Sequence, residues 1–308
     1  MPTAHVSVPA TSANLGPGFD CIGAAWTLAN RFEFTRLPDH ASLRIEATGI
    51  DADKISLGTG NYVYKAFCQL FEHVNQPIPP LHLKIEVAVP LSRGLGSSAT
   101  AIVGGLVGAN ELAGQPLTPT ALAALATELE GHPDNVVPAL LGGCRLTASG
   151  LESAEQPWEI CDIPWHPEIV PVVGIPAFEL STQKARAVLP ERYSGADAIF
   201  NAAHLGLLIR ALQTGDRRWL RTALQDRIHQ PYRKSLIPGF EQVQDQALAA
   251  GAAGVVISGA GPTLLAFGSP HQAKAIAQAM EAAWSGQGIS AQAQPVQINP
   301  AGTEVATR

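Results

Sequence analysis

The stretch Pro90-Leu-Ser-Arg-Gly-Leu-Gly-Ser-Ser-Ala-Thr100 joins two segments of different hydrophobic period, and what it joins sets the fold class. Before it, residues 81–89 alternate, with Leu81, Leu83, Ile85, Val87 and Val89 on one side, which predicts a strand. After it, a helix is expected from Ser97 to about Leu112, stopped by Gly114 and Pro116. Gly94 and Gly96 permit positive φ and close backbone approach. The free N–H groups and dipole of a helix start form a natural phosphate cradle. Ser97 and Ser98 can act there as N-caps, or as phosphate and magnesium ligands. A plain glycine turn with a serine cap has the same spacing. No lysine follows Gly96, so this is not a Walker A loop. Gly94-x-Gly96-x-x-Ala99 fits a loose dinucleotide fingerprint, the basis for a dehydrogenase alternative. That fingerprint needs a βαβ unit, but residues 114–119 lead straight into another helix over 119–130.

Further from the loop, strands are expected over 5–8 (ending at Pro9), 31–36 and 42–47, with a helix stripe over 61–74. The Pro- and Trp-rich stretch 156–167 marks a domain boundary, dividing the chain into 1–160 and 161–308. The second half opens with a strand at 169–174. Helices are expected over 196–213, 216–229, 239–250 and 272–284, with short strands at 255–258 and 264–267. Strands and helices mix without regular alternation, so an α+β fold is expected.

Charged residues make up only 15% of the 308, and the net charge of −6 argues against nucleic acid or a membrane surface as partner. Any anion must be held by a local device. The four cysteines show no C-x-x-C pair, so neither a zinc site nor a disulfide framework is expected. The N-terminus lacks the basic and apolar regions of a signal peptide, and a cytoplasmic location is expected.

Two more glycine-rich segments flank the loop in sequence. Pro9-Ala-Thr-Ser-Ala-Asn-Leu-Gly-Pro-Gly-Phe-Asp20 packs polar residues into a glycine- and proline-shaped turn, suited to a small polar substrate or simply to a strand connection. Ser258-Gly-Ala-Gly-Pro-Thr263 could form an anion nest or a plain hairpin turn. Together, and in this order, the three resemble the three motifs of the GHMP kinase superfamily. The first motif is similar to that of the homoserine kinases within it. Residues 128–138 (Glu-Leu-Glu-Gly-His-Pro-Asp-Asn-Val-Val-Pro), 181–190 and 230–240 carry further similarity, so the resemblance spans 6 to 267.

The resemblance implies a domain like the ribosomal S5 second domain followed by a ferredoxin-like domain. It also implies ATP- and magnesium-dependent phosphorylation of L-homoserine to O-phospho-L-homoserine, on the route to threonine. Its partners are then two small molecules, with a homodimer left open. Another small alcohol as acceptor, or a catalytically silent relative, remain alternatives. Carried over by position, Pro90, Leu91, Ser92, Arg93, Gly94, Leu95, Gly96, Ser97, Ser98, Ala99 and Thr100 wrap the ATP phosphates. Asn61 contacts the adenine side, and Gly259 and Gly261 complete the nucleotide site. Asn14, Asp20, His132 and Asn135 face the substrate, and Arg186 and Arg233 clamp its carboxylate. A guanidinium fork suits a carboxylate as lysine does not. No strong general base is implied, with Asp134 the fallback. Ser98 and Glu128 are matched to the metal. Glu128 and Glu130 stand about 200° apart on a helix, so only one can face the site. Alignment favours Glu128, whereas the apolar stripe Leu122, Leu125, Ala126, Leu129 brings Glu130 nearer the buried side.

Overall fold

The computed structural model describes residues 2–150 and 158–307. Gln156 and Pro157, at the start of the expected boundary, lie outside the described residues.

The chain runs β1 (Thr3–Asn14), β2 (Gly18–Arg36), β3 (Arg44–Gly49), α1 (Tyr62–His73), β4 (Leu81–Val87), α2 (Ser97–Leu112), α3 (Pro119–Glu130), α4 (Pro133–Leu141), β5 (Cys144–Ser149) and β6 (Trp158–Ile163). It continues with β7 (Val170–Pro176), α5 (Thr182–Ala187), α6 (Gly195–Thr214), α7 (Arg217–Ala223), α8 (Gln230–Arg233), α9 (Phe240–Ala249), β8 (Gly254–Ile257), β9 (Leu264–Gly268), α10 (Ala273–Ser285), β10 (Ala291–Pro295) and β11 (Glu304–Thr307). None of the described helices is long and apolar enough to cross a membrane.

Two sheets organise these elements. The first has the order β11-β1-β2-β4-β3, and the other half of long β2 pairs β5, which pairs β6. Only β3 and β4 run parallel within it. The second sheet has the order β10-β7-β9-β8, antiparallel throughout. With helices between β7 and β8 and α10 between β9 and β10, it is a β-α-β-β-α-β arrangement. The sheets do not divide the chain at 160/161. β6 crosses that point and belongs to the first sheet, and β11 returns from the far end to pair β1.

Apolar alternation on β1, β2 and β4 turns Val6, Val8, Phe32, Phe34, Leu83 and Ile85 onto one face, where α1 to α4 cover them. Each such residue, fully buried, contributes roughly 1.5–3 kcal/mol. A second cluster (Leu15, Ile22, Trp26, Val173, Leu208, Phe267) draws from both sheets, so the two halves share apolar core where they meet.

Three expectations are corrected. β1 does not stop at Pro9: the ladder continues to Asn14 past a register shift between Pro9 and Thr11, and a bulge is where a strand tolerates proline. The helix expected over 216–229 ends at Ala223, because Asp226 accepts hydrogen bonds from the backbone N–H groups of Ile228, His229 and Gln230 and turns the chain. And residues 133–141, not read as helix, form α4, with Pro133 in its first turn and Pro138 inside it.

α4 carries Asp134 and Asn135 and packs close to β2. A Cβ on Gly23 would sit 1.7 Å from the Asp134 carbonyl oxygen. Gly23→Ala is therefore expected to push the start of α4 off the sheet, lowering kcat by more than tenfold together with Tm. A variant with wild-type kcat would show that this contact does not position the site.

Candidate active site

The three glycine-rich segments meet. Thr11 N–H donates to the Leu95 carbonyl (3.1 Å), Gly259 N–H to the Ala13 carbonyl (3.1 Å) and Thr263 N–H to the Arg93 carbonyl (3.2 Å). Ser258 Oγ donates to the Gly94 carbonyl and lies 2.6 Å from Ser12 Oγ, which accepts from Trp26 Nε1 (2.8 Å). Gly96, at φ 69°, leaves no room for a side chain, since a Cβ there would fall 2.0 Å from Thr11 Oγ1.

Between them lies a cavity of about 140 Å³. One wall is the 90–100 loop: Ser92, Gly94, Gly96, Ser97 and Ser98. The opposite walls hold Asp20, Glu130, His132, Asp134, Asn135, Arg186 and Arg233, with Gly259 and Gly261 closing it. A second cavity of about 360 Å³, with Lys54, Ser56, Asn61 and Tyr62 among its walls, shares Ser92, Ser97 and Ser98 with the first.

The N-cap of α2 is Gly96, with no side-chain cap, as is also the case for α4, α8, α9 and α10, whereas α1, α3, α5, α6 and α7 each have a side chain accepting from a first-turn N–H. Ser97 and Ser98 are thus not N-caps. The first-turn amides of α2 keep their donors for an incoming anion.

Within the loop the residues divide. Arg93 is buried and tied by Nε to the Pro176 carbonyl (3.1 Å), by Nη1 to Leu91 (3.0 Å) and by Nη2 to Ala177 (2.7 Å), so it braces the loop and does not face phosphate. Leu95 and Ala99 are core residues, and the Thr100 hydroxyl is held between the Ser97 carbonyl and Asn30 Nδ2. Pro90 and Leu91 are half-buried and outside the first cavity, Leu91 lining the second. Asn61 lines the second cavity, but its Oδ1 accepts from Tyr64 N–H (3.2 Å) and its Nδ2 donates to the Ser56 carbonyl (2.7 Å). Its side chain caps α1 and shapes the wall.

Asn14 is similarly engaged, accepting from Asp20 N–H (3.0 Å) and donating to the Gly259 carbonyl (2.9 Å), which makes it a link between two loops. Asn135 Oδ1 accepts from Thr11 Oγ1 (2.7 Å). Asp134 is buried, with His132 Nδ1 2.6 Å from its Oδ1. Burial works against the charged His132 ring, but the Asp134 hydrogen bond and the charges of Asp134, Glu130 and Asp20 outweigh it, so its pKa lies above the usual value.

Of the two glutamates left open for the metal, the cavity is lined by Glu130 and not by Glu128. Glu128 is exposed. Glu130 Oε2 accepts from Ser98 Oγ (2.9 Å). Gly131 ends α3 in a left-handed turn, leaving the last residue of the helix facing the loop. Burial raises the Glu130 pKa, and among the described residues no lysine or arginine pairs with it. A carboxylate and a hydroxyl in contact, both hard oxygen donors beside an anion cradle, fit a magnesium ion.

The arginines separate too. Arg186 binds Asp20 bidentately (3.0 and 2.8 Å). Arg233 is 2% exposed, yet no carboxylate among the described residues lies within ion-pair distance. Its Nε donates to the Ala185 carbonyl (3.1 Å) and Nη1 to Gly259 (3.1 Å). Both guanidinium groups lie over the Phe19 ring, at 5.1 Å for Arg233 and 5.6 Å for Arg186. Burial, then the charge of Arg186, lowers the Arg233 pKa.

Known proteins resemble this chain over nearly its whole length. The family models for the GHMP kinase N-terminal and C-terminal domains match residues 61–143 and 208–286. A homoserine kinase of a Synechococcus species is 59% identical over 301 residues, covering 98% of this chain and 97% of its own. That of Trichormus variabilis is 60% identical over 286 residues, 93% of each chain. Among solved structures, the homoserine kinase of Cytophaga hutchinsonii superposes with a TM-score of 0.87 at 30% identity, over 99% of this chain and 97% of that one. A mevalonate kinase of L. major, at 17% identity, TM-score 0.69 and coverage of 94% and 95%, shares the fold. The chain belongs to the GHMP kinases and, within them, to the homoserine kinases.

Proposed function

We infer that this protein transfers the γ-phosphoryl group of ATP to the side-chain hydroxyl of L-homoserine, giving O-phospho-L-homoserine and ADP, a step of threonine biosynthesis. The observation that carries the acceptor is Arg233, without a carboxylate partner among the described residues, on the same 140 Å³ cavity as the glycine loop, with Asp20 and Asp134 also lining it. A small zwitterion with a hydroxyl satisfies all three. Arg233, helped by Arg186, takes the carboxylate, and Asp20 attracts the ammonium end.

The triphosphate lies along the loop on the uncapped start of α2, with adenine in the larger cavity. Ser98 and Glu130 would hold a magnesium ion, which when bound would supply positive charge beside the triphosphate. Phosphoryl transfer asks mainly for alignment and charge stabilisation. Asn135, fixed by Thr11, and Asp134, fixed by His132, orient the hydroxyl. Asp134 takes its proton late, as the new O–P bond forms and the bond to the β–γ bridging oxygen breaks.

A coupled ADP-release assay with ATP and magnesium tests this. L-homoserine should be turned over, with L-threonine, L-serine, mevalonate and galactose poor. Equal turnover of mevalonate or galactose would overturn the assignment.

A further inference from the structure

We propose that His229 is a positioning residue for the carboxylate clamp. It fixes the Arg233 guanidinium by accepting a hydrogen bond at Nδ1, and it rests on the clamp role proposed above. His229 was no part of the expected site, and its ring lies beneath the site, 0% exposed.

Its two nitrogens have different partners. Nε2 lies 2.8 Å from the Gly16 carbonyl, an acceptor only, so Nε2 carries the proton. Nδ1 is then a bare acceptor, 3.3 Å from Arg233 Nη1. Arginine has no acceptor, so the contact is a hydrogen bond only while His229 is neutral. Burial favours the neutral ring and lowers its pKa, although the Asp226 carboxylate stands 3.6 Å from Nε2. The ring is fixed in plane as well, stacked on Phe19 at 5.2 Å and 22°. Phe19 in turn lies under both arginines.

Three of the five donors of Arg233 have partners within the protein. Nε goes to Ala185, and Nη1 divides its two hydrogens between Gly259 and His229. No described residue takes a hydrogen bond from Nη2, and the side chain lines the cavity. His229 therefore fills the last inward donor and leaves the pair on Nη2 for the substrate. Asp226 sets the frame: its carboxylate, without exposed surface, accepts from three successive backbone N–H groups and from Asn201 Nδ2 (2.7 Å). The buried polar loop thus runs from Asp226 through His229 to the guanidinium.

Side-chain amides separate the two nitrogens. In His229→Asn, Oδ1 can stand where Nδ1 accepts, while the Gly16 contact is lost. In His229→Gln, Nε2 can stand where the ring donates to Gly16, while the acceptor for Arg233 is lost. With the full-length protein, the expected result is a homoserine KM raised at least tenfold in His229→Gln and less than fivefold in His229→Asn. kcat and the ATP KM should change little in either. A merely structural role gives the reverse order, or equal losses in kcat, and overturns the proposal. Nitrogen NMR of the wild-type protein provides a check that needs no variant: His229 should be neutral with its proton on Nε2, and a protonated ring or the other tautomer overturns it. Arg233→Leu in the same assay distinguishes the two levels. If it leaves the homoserine KM unchanged, the clamp itself fails. If it raises KM while His229→Gln does not, only the role of His229 fails.

Discussion

Arg233→Leu is expected to raise the homoserine KM by about 30-fold to several thousand-fold while the ATP KM holds, since losing one partner of a buried hydrogen-bonded ion pair costs on the order of 2–5 kcal/mol. The expectation is sharper here than for arginines in general. Arg233 is buried without a carboxylate partner, so the free enzyme bears the cost of an unbalanced cation that the substrate carboxylate relieves. Arg186 should show a smaller effect, because its guanidinium is already bidentate on Asp20. Arg186→Leu also releases Asp20, so its loss mixes carboxylate and ammonium recognition. Measuring KM for both substrates in folded protein checks this. An unchanged homoserine KM in Arg233→Leu removes that arginine from the site.

The parts legible in the sequence are those whose signal is local. The alternation at 81–89 and the start at Ser97 need only neighbouring residues, and α2 and α3 run over the expected 97–112 and 119–130. The segments 90–96 and 258–263 were legible as loops because glycine and proline act on their own backbone, whereas 9–20 is strand on both sides of a turn at 15–17. What their side chains do was not legible. Asn14, Asn61 and Arg93 are the right residue types for ligands, but they hold loops together through partners that include carbonyls far along the chain, such as Gly259 and Pro176. α4 was hidden by its prolines: Pro133 suits a first turn, but Pro138 reads as a break, and packing on β2 overrides it. β11 and β6 were hidden for the opposite reason, since short strands at a sheet edge carry little periodicity and exist through pairing. His229 has no local signal at all. Its role depends on Gly16 and Phe19, more than two hundred positions earlier in the chain.

The same contrast bears on the metal, where position along one helix decides between two glutamates. Glu130→Ala is expected to lower kcat by at least a hundredfold, and Glu128→Ala to remain within about twofold of wild type. The helix wheel separates the two by about 200°, and the structure turns Glu130 to the loop and leaves Glu128 exposed. Ser98→Ala should fall between them, because it removes one hard-oxygen ligand but not the carboxylate. In each case the loss belongs mainly in kcat: a misplaced ion fails most where negative charge grows as the γ-phosphoryl group leaves. Raising the magnesium concentration should restore Glu130→Ala in part, since a lost carboxylate weakens affinity as well as position. Neither variant should lose stability. Glu130 sits at the last position of α3, and burial already disfavours its charge. A dead Glu128→Ala beside an active Glu130→Ala would mean that the site closes around the other face of α3.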